Sequence, residues 1–323
     1  MTEGLVIRTT GSWYRVLVES GKRKVENDDP STFNFQLSTF NLIDCRLRGN
    51  YRLRGNKQTN PVAVGDHVLF ELQDDGTGLI HEVKDRTNYI VRRATKLSKQ
   101  THVIAANIDL LCIVATLGLP RTSTGFIDRL LVTAEAYHIP AAIIFNKCDL
   151  LDLDPTLRAP LSTLHSLYSS IGYPVLEVSA LTGSGLDEVK ALIAGKTVLF
   201  SGHSGVGKSA LLNAISPGLN LKVGQLSDWS LKGKHTTTFA EIHPITLNTY
   251  LIDTPGIKEF GMVDFTAQEL SHFFPEMRAV LHDCRFANCT HLHEPGCAVI
   301  QAVDDGRISA ERYQNYLNIL EDI

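Results

Sequence analysis

Residues 202–209 read GHSGVGKS, and this octapeptide limits the possible folds more than any other stretch of the chain. The pattern G-x-x-x-x-G-K-[ST] does its chemistry when a strand leads into it and a helix leads out. The glycines let backbone N–H groups wrap an anion, and the N-terminus of the following helix adds its positive end. Lys208 then reaches the β- and γ-phosphates of a nucleotide, and the Ser209 hydroxyl ligates Mg²⁺. Both flanks fit, because residues 197–201 (TVLFS) read as a buried strand and residues 208–215 as a helix. The chain must therefore contain an α/β domain built around a nucleotide.

The surrounding pattern agrees. Residues 110–116 (LLCIVAT), 141–146 (AAIIFN), 175–179 (VLEVS) and 250–253 (YLID) are further apolar strands, and they alternate with helical stretches at 127–137 and 186–193. Such alternation is the mark of a mostly parallel sheet. Three short motifs fall at the ends of these strands. Asn146-Lys147-Cys148-Asp149 resembles the guanine-specificity motif of GTPases, whose carboxylate accepts from guanine N1–H and the exocyclic amine, a donor pair adenine lacks. Ser179-Ala180 resembles the loop that donates a backbone N–H to guanine O6. Asp253-Thr-Pro-Gly256 resembles the segment whose Asp holds Mg²⁺ through water and whose Gly senses the γ-phosphate. Each is weak alone, but four at strand ends specify GTP.

Their order is unusual. GTPases ordinarily run phosphate loop, switch I, DTPG, NKxD and SA, whereas this chain runs NKCD, SA, phosphate loop, HTTT and DTPG. The chain is circularly permuted. The arrangement is tolerable because all these loops lie at the carboxyl edge of one sheet whatever the connectivity. Many GTPases place a Gln after the DxxG segment to orient the attacking water, but Ile257 stands here and cannot do so. His235, in GKHTTT (233–238), is the candidate replacement. Thr237 is the expected switch I ligand of Mg²⁺ beside Ser209 and Asp253, with Thr236 and Thr238 as alternatives.

The rest of the 323 residues suggests two further modules. From residue 5 to 83 the pattern is of short strands, such as YRVLV (14–18), VLFEL (68–72) and LIHEV (79–83), separated by Gly, Asn and Asp turns. That reads as a small β-barrel of OB-fold size. Residues 1–102 hold 16 Lys/Arg and 12 Asp/Glu, a balance of +4 in a chain whose net charge is −4. Arg46, Arg48, Arg52 and Arg54 form the densest part of this basic region, continued by Lys57, Lys84, Arg86, Arg92, Arg93, Lys96 and Lys99. Such a cluster suits a phosphate backbone, though charge alone leaves a solvated strand face equally open. Residues 25–41 read as a loop or insertion.

Near the C-terminus, Cys284-x₄-Cys289-x-His291-x₅-Cys297 supplies three thiols and an imidazole within fourteen residues. This is the ligand set of a closed structural zinc site with no position open for water. His282 and His293 are rival ligands to His291. Cys45, Cys112 and Cys148 read as small apolar residues. Thr266 to Glu269 makes a capping box for a helix, and an amphipathic helix begins near Ser309.

With permuted motifs, an N-terminal barrel and C-x₄-C-x-H-x₅-C, the chain resembles the ribosome-small-subunit-dependent GTPase family (RsgA, also called YjeQ or YloQ). The resemblance spans nearly the whole chain and includes CRLRG (45–49), PVAVGDHV (61–68), AANID (105–109), IDRLL (127–131), GHSGVGKS and GKHTTT. It implies an OB-fold RNA-binding domain with linker over 1–100, a circularly permuted GTPase domain over 101–265 and a zinc-binding helical domain over 266–323. It favours His291 as the fourth zinc ligand and points to His235 as the residue that positions water. It also implies a partner, the small ribosomal subunit and its rRNA, bound late in assembly. Two departures stand out: Ala210 where a second Ser is expected, and the length of segment 25–41.

The expected GTP contacts are thus Asn146, Lys147, Cys148, Asp149, Ser179, Ala180, Gly202, His203, Ser204, Gly205, Val206, Gly207, Lys208, Ser209, Ala210, Asp253 and Gly256. The expected cofactors are GTP/GDP, Mg²⁺ and one Zn²⁺. The longest apolar stretches fall short of the ~18–20 residues that span a bilayer, and no apolar leader opens the chain. A cytoplasmic monomer that touches no membrane is expected. Two rival readings are a nucleotide-gated RNA-binding protein in which GTP is mainly an on/off ligand, and a P-loop ATPase or kinase, which leaves NKCD and SA unexplained.

Overall fold

The computed structural model describes residues 1–19, 40–49, 61–93, 101–219, 240–246, 248–253 and 266–323. Five strands, β1 (Thr2–Thr10), β2 (Trp13–Glu19), β3 (Phe40–Leu47), β4 (His67–Leu72) and β5 (Gly78–Val83), close in the order β1-β2-β3-β5-β4-β1. All pairs are antiparallel except β3 with β5, which completes the expected OB-type barrel. Period-two alternation explains its closure. On β3, Asp44 and Arg46 face out while Cys45 points in with Val6, Tyr14, Val16, Val68, Phe70 and Ile80. The interior is tight, since a Cβ on Gly78 would lie 2.4 Å from Cys45 Sγ.

Two residues of the basic region prove to be partnered within the fold. Arg86 makes a fork on the fully buried Asp66 (2.7 and 2.8 Å), which also accepts the Ala63 N–H. Lys84 pairs with Glu3 at 2.6 Å. A ribbon of β6 (Tyr89–Arg93) and β7 (Thr101–Ala106) then leads out of the barrel.

The central sheet comprises β8 (Leu110–Ala115), β9 (Ala141–Phe145), β10 (Val175–Glu177), β11 (Thr197–Ser201), β12 (Glu241–Thr246) and β13 (Thr249–Asp253). Its order is β10-β9-β8-β11-β13-β12, parallel except for β12. Every residue of β8 and β9 is buried, as continuous apolar runs require between two helical layers. Helices α1 (Thr124–Ala136) and α3 (Arg158–Ile171) cover one face, α3 following the single turn α2 (Leu150–Leu153). The other face carries α4 (Leu186–Ile193) and α5 (Lys208–Ile215). Strand β12 also pairs with β1 through Arg8↔Glu241, so barrel and sheet are continuous.

After the sheet, residues 266–323 form the helical module α6 (Pro275–Arg278), α7 (Ala298–Asp304) and α8 (Ala310–Glu321). Ser309 caps α8, where the sequence places a helix start. The box at Thr266 behaves differently. Its N–H and hydroxyl both donate to Glu269, at 2.8 and 2.9 Å, but the turn that follows is the 3₁₀ segment Leu270–Phe273. Pro275 forces Phe274 into extended backbone, which stops that turn from growing into an α-helix.

The module's core, including Leu270, Phe274, Met277, Val299 and Tyr316, reaches onto the sheet domain through Val132 of α1. Beside it Arg312, fully buried, donates to Asp128 of α1 (2.5 Å) and makes a fork on Glu276 (2.7 and 3.0 Å). Removing one partner of such a pair typically costs about 3–5 kcal/mol, because the other charge stays buried. Among the described residues no helix is long and apolar enough to cross a membrane.

Candidate functional site

The phosphate loop joins β11 to α5, as its sequence demands. Gly202 and Gly207 lie at φ 151° and 92°, and a Cβ on either would strike Val114 O at 2.3 Å or Asn146 Nδ2 at 2.5 Å. Only glycine fits against that carbonyl and that buried side-chain amide at these positive φ angles. His203, Ser204 and Gly205 are exposed along the loop, while Val206 anchors it in the core. Ser209 is buried in the first turn of α5, with the half-buried Ala210 beside it. The Lys208 ammonium folds onto the loop, donating to Gly202 O (2.5 Å) and His203 O (2.8 Å). Burial lowers its pKa to about 8.

The loops after β9 and β10 lie alongside. Asn146, buried at the end of β9, donates through Nδ2 to Val206 O (2.9 Å) and accepts the Ala180 N–H at Oδ1 (3.1 Å). One amide thus ties the NKCD, SA and phosphate loops together. Ser179 Oγ reaches Asp149 Oδ1, and Lys147, at φ 65°, donates to Leu119 O at 2.9 Å. Cys148 packs inward, its N–H on Val178 O, and burial pushes its thiol up to about 11. The Leu119 carbonyl and the ring of Phe126, which stacks on His203 at 3.7 Å, were not legible as site elements. Nothing in the sequence of the segment after β8 signals that it crosses to the phosphate loop.

Strand β13 delivers Asp253 to the same edge, with its backbone across the ladder from Glu241. Ser209, buried at the head of α5, carries a hydroxyl of the hard-oxygen class that Mg²⁺ takes, whereas the Asp253 side chain lies outside the description. Thr237, Gly256 and His235 lie outside the described residues, as do Thr236, Thr238 and Ile257.

The donor atoms of Cys284, Cys289, His291 and Cys297 converge within 4.8 Å of one another. His291 Nδ1 lies 3.7 Å from Cys284 Sγ and 3.4 Å from Cys297 Sγ. With Zn–S near 2.3 Å and Zn–N near 2.0–2.1 Å, the edges of a tetrahedron are about 3.5–3.8 Å, so the set fits a four-coordinate soft metal. The rival His282 instead faces Asp283. Glu294 holds the knuckle by accepting the N–H groups of Thr290, Leu292 and His293.

On the barrel, Arg46 lies 3.8 Å over the Trp13 ring and Arg48 meets His81 at 3.4 Å, both on the exposed side. Arg52, Arg54 and nearly all of segment 25–41 fall outside the described residues.

A sequence model of the RsgA GTPase family matches residues 83–263, more than half of the chain, and one of the RsgA N-terminal domain matches residues 33–80. The chain belongs to the RsgA GTPase family. A small ribosomal subunit biogenesis GTPase RsgA from Bacteroides fragilis is 48% identical over 320 residues, which span 99% of this chain and 96% of that one. The RsgA of Christiangramia forsetii is 45% identical over 322 residues, covering 99% and 96%. The crystal structure of YjeQ from Thermotoga maritima aligns over 99% of this chain and 98% of its own, with TM-score 0.77 and 33% identity. YloQ, described as a circularly permuted GTPase, aligns over 100% and 95%, with TM-score 0.75 and 31% identity. RsgA membership accounts for the three parts of the fold together: closed barrel, permuted GTPase sheet and Cys₃His module.

Proposed function

We propose that this RsgA-family GTPase binds the small ribosomal subunit late in its assembly and uses GTP hydrolysis to leave it. The observation that carries the nucleotide half is the bridge made by Asn146 between Val206 and Ala180, which gathers the guanine and phosphate loops on one sheet edge. In this reading Asp149 selects guanine, Ser179 orients it, Ala180 N–H meets the base, and Lys147 and Cys148 shape the loop. Gly202 through Ala210 cradle the phosphates, with Lys208 turning from its own loop carbonyls to the β- and γ-oxygens.

Mg²⁺, implied by the family, supplies neutralisation of charge on those oxygens, and Ser209, Thr237 and Asp253 would hold it. Gly256 senses the γ-phosphate, and His235 orients the attacking water. Zinc is the metal assigned to Cys284, Cys289, His291 and Cys297, where it ties the knuckle to α7. Arg46, Arg48, Arg52 and Arg54 face rRNA from the barrel. The divisions near residues 100 and 265 follow from these roles, and a cytoplasmic monomer suits such a partner.

Cosedimentation with purified small subunits tests the reading. Retention with a non-hydrolysable GTP analogue and loss with GDP is the expected result. Equal binding in both states overturns the proposed release step.

A further inference from the structure

The first two turns of α1 are held from two sides. Toward α8, Thr124 Oγ1 donates to Glu311 (2.7 Å), and the buried Asp128 accepts from Arg312 (2.5 Å) and Asn315 (2.7 Å). Arg129 pairs with Asp322. Helix α8 is itself fastened to the Cys₃His knuckle, since Tyr313 donates to His291 O (2.5 Å) and Tyr316 to Thr290 O (2.8 Å). Toward the phosphate loop, the first of these turns presents Phe126, whose ring lies on the His203 imidazole at 3.7 Å and 27°. The His203 carbonyl in turn accepts from Lys208. A series of hydrogen bonds, ion pairs and one ring contact, buried where Arg312 and Asn315 meet Asp128 and exposed at His203, therefore runs from the C-terminal knuckle to the phosphate lysine.

We infer that Phe126 is a positioning residue for the phosphate loop: its stack on His203 transmits the placement of α8, and so of whatever docks on the C-terminal module, to the loop. The inference rests on the reading of residues 202–209 as the phosphate site of GTP. It follows from geometry. α8 and the knuckle share one core, so a load on either moves them together, and packed interiors pass on displacements rather than absorbing them. Spatial continuity alone does not establish coupling, which requires energies that fail to add.

Gly125 provides the wedge. A Cβ there would stand 3.3 Å from Asn315 Oδ1, so that the Asn315 amide and the α1–α8 contact it serves must give by a few tenths of an ångström, while alanine is otherwise the better helix former. Fluorescent GDP affinity and dissociation rate are measured on the full-length, metal-loaded protein for G125A, F126L and F126Y, each with a melting curve. G125A should change GDP dissociation by about threefold or more with melting preserved. The change should vanish in the F126L background, which removes the ring. F126Y, which keeps the ring, should restore it.

Effects of G125A that persist unchanged in F126L, or an F126L protein that melts lower but releases GDP like wild type, overturn the inference and make Phe126 a packing residue. Wild-type protein that binds no guanine nucleotide overturns the reading of the phosphate site instead.

Discussion

Ser179 Oγ donates a 2.5 Å hydrogen bond to Asp149 Oδ1, joining the loops after β9 and β10 at the proposed guanine site. The serine holds the carboxylate in one orientation before any base arrives. Replacing Asp149 with Asn turns an acceptor pair into a mixed donor and acceptor. Losing a charge-assisted hydrogen bond costs about 1.5–3 kcal/mol, or more than tenfold in affinity. GTP affinity of D149N should fall by at least that factor while xanthosine nucleotide binding improves, both measured by equilibrium titration. D149N that binds GTP like wild type would remove Asp149 from the base site.

The Cys₃His cluster should hold its metal for structure. Metal analysis of purified protein should give one zinc per chain. C289S should lose the metal together with the order of residues 284–297, because metal binding free energy is folding free energy in such knuckles. Metal-free protein with an ordered knuckle would contradict this.

Lys208 gives a pH signature. Its ammonium, lowered to about 8 by burial, is held up by phosphates when nucleotide binds, so binding takes up a proton once the pH exceeds that value. Affinity should be level below pH ~7 and fall above pH ~8 by up to about tenfold per unit, as one linked proton dictates. Titrations at fixed ionic strength that show no decline to pH ~9 would place the lysine elsewhere in the bound state.

The exposed Arg46 and Arg48 should contribute to subunit affinity through phosphate contacts. Reversing both to Glu should weaken binding and flatten its dependence on salt, because each lost contact removes about 0.7–0.9 from the slope of log K against log salt. An unchanged slope would move the RNA contact away from this face of the barrel.

Much of this was legible in the sequence, for identifiable physical reasons. Strands β8, β9 and β11 appear as unbroken apolar runs because helices cover both sides of them. The Cys₃His knuckle appears because its four ligands sit close in sequence. Helix α3 does not appear, since its residues RAPLSTLHSLYSSI bury little beyond Leu161 and Tyr168 and carry five Ser or Thr. Nor do the contacts of Lys147 with Leu119 and of Phe126 with His203, which depend on where the segment after β8 settles in space. Composition also overcounts the basic surface, because a run of Lys and Arg does not reveal that Arg86 is committed to Asp66 and Lys84 to Glu3.

The most direct test of the whole account is multiple-turnover GTP hydrolysis by the wild-type protein, with and without purified small ribosomal subunits. With Ile257 where many GTPases have a Gln, the protein alone should turn over slowly, at ~10⁻⁴ to 10⁻² s⁻¹, and subunits should raise the rate by about a hundredfold or more. Turnover that small subunits leave unchanged would contradict the account.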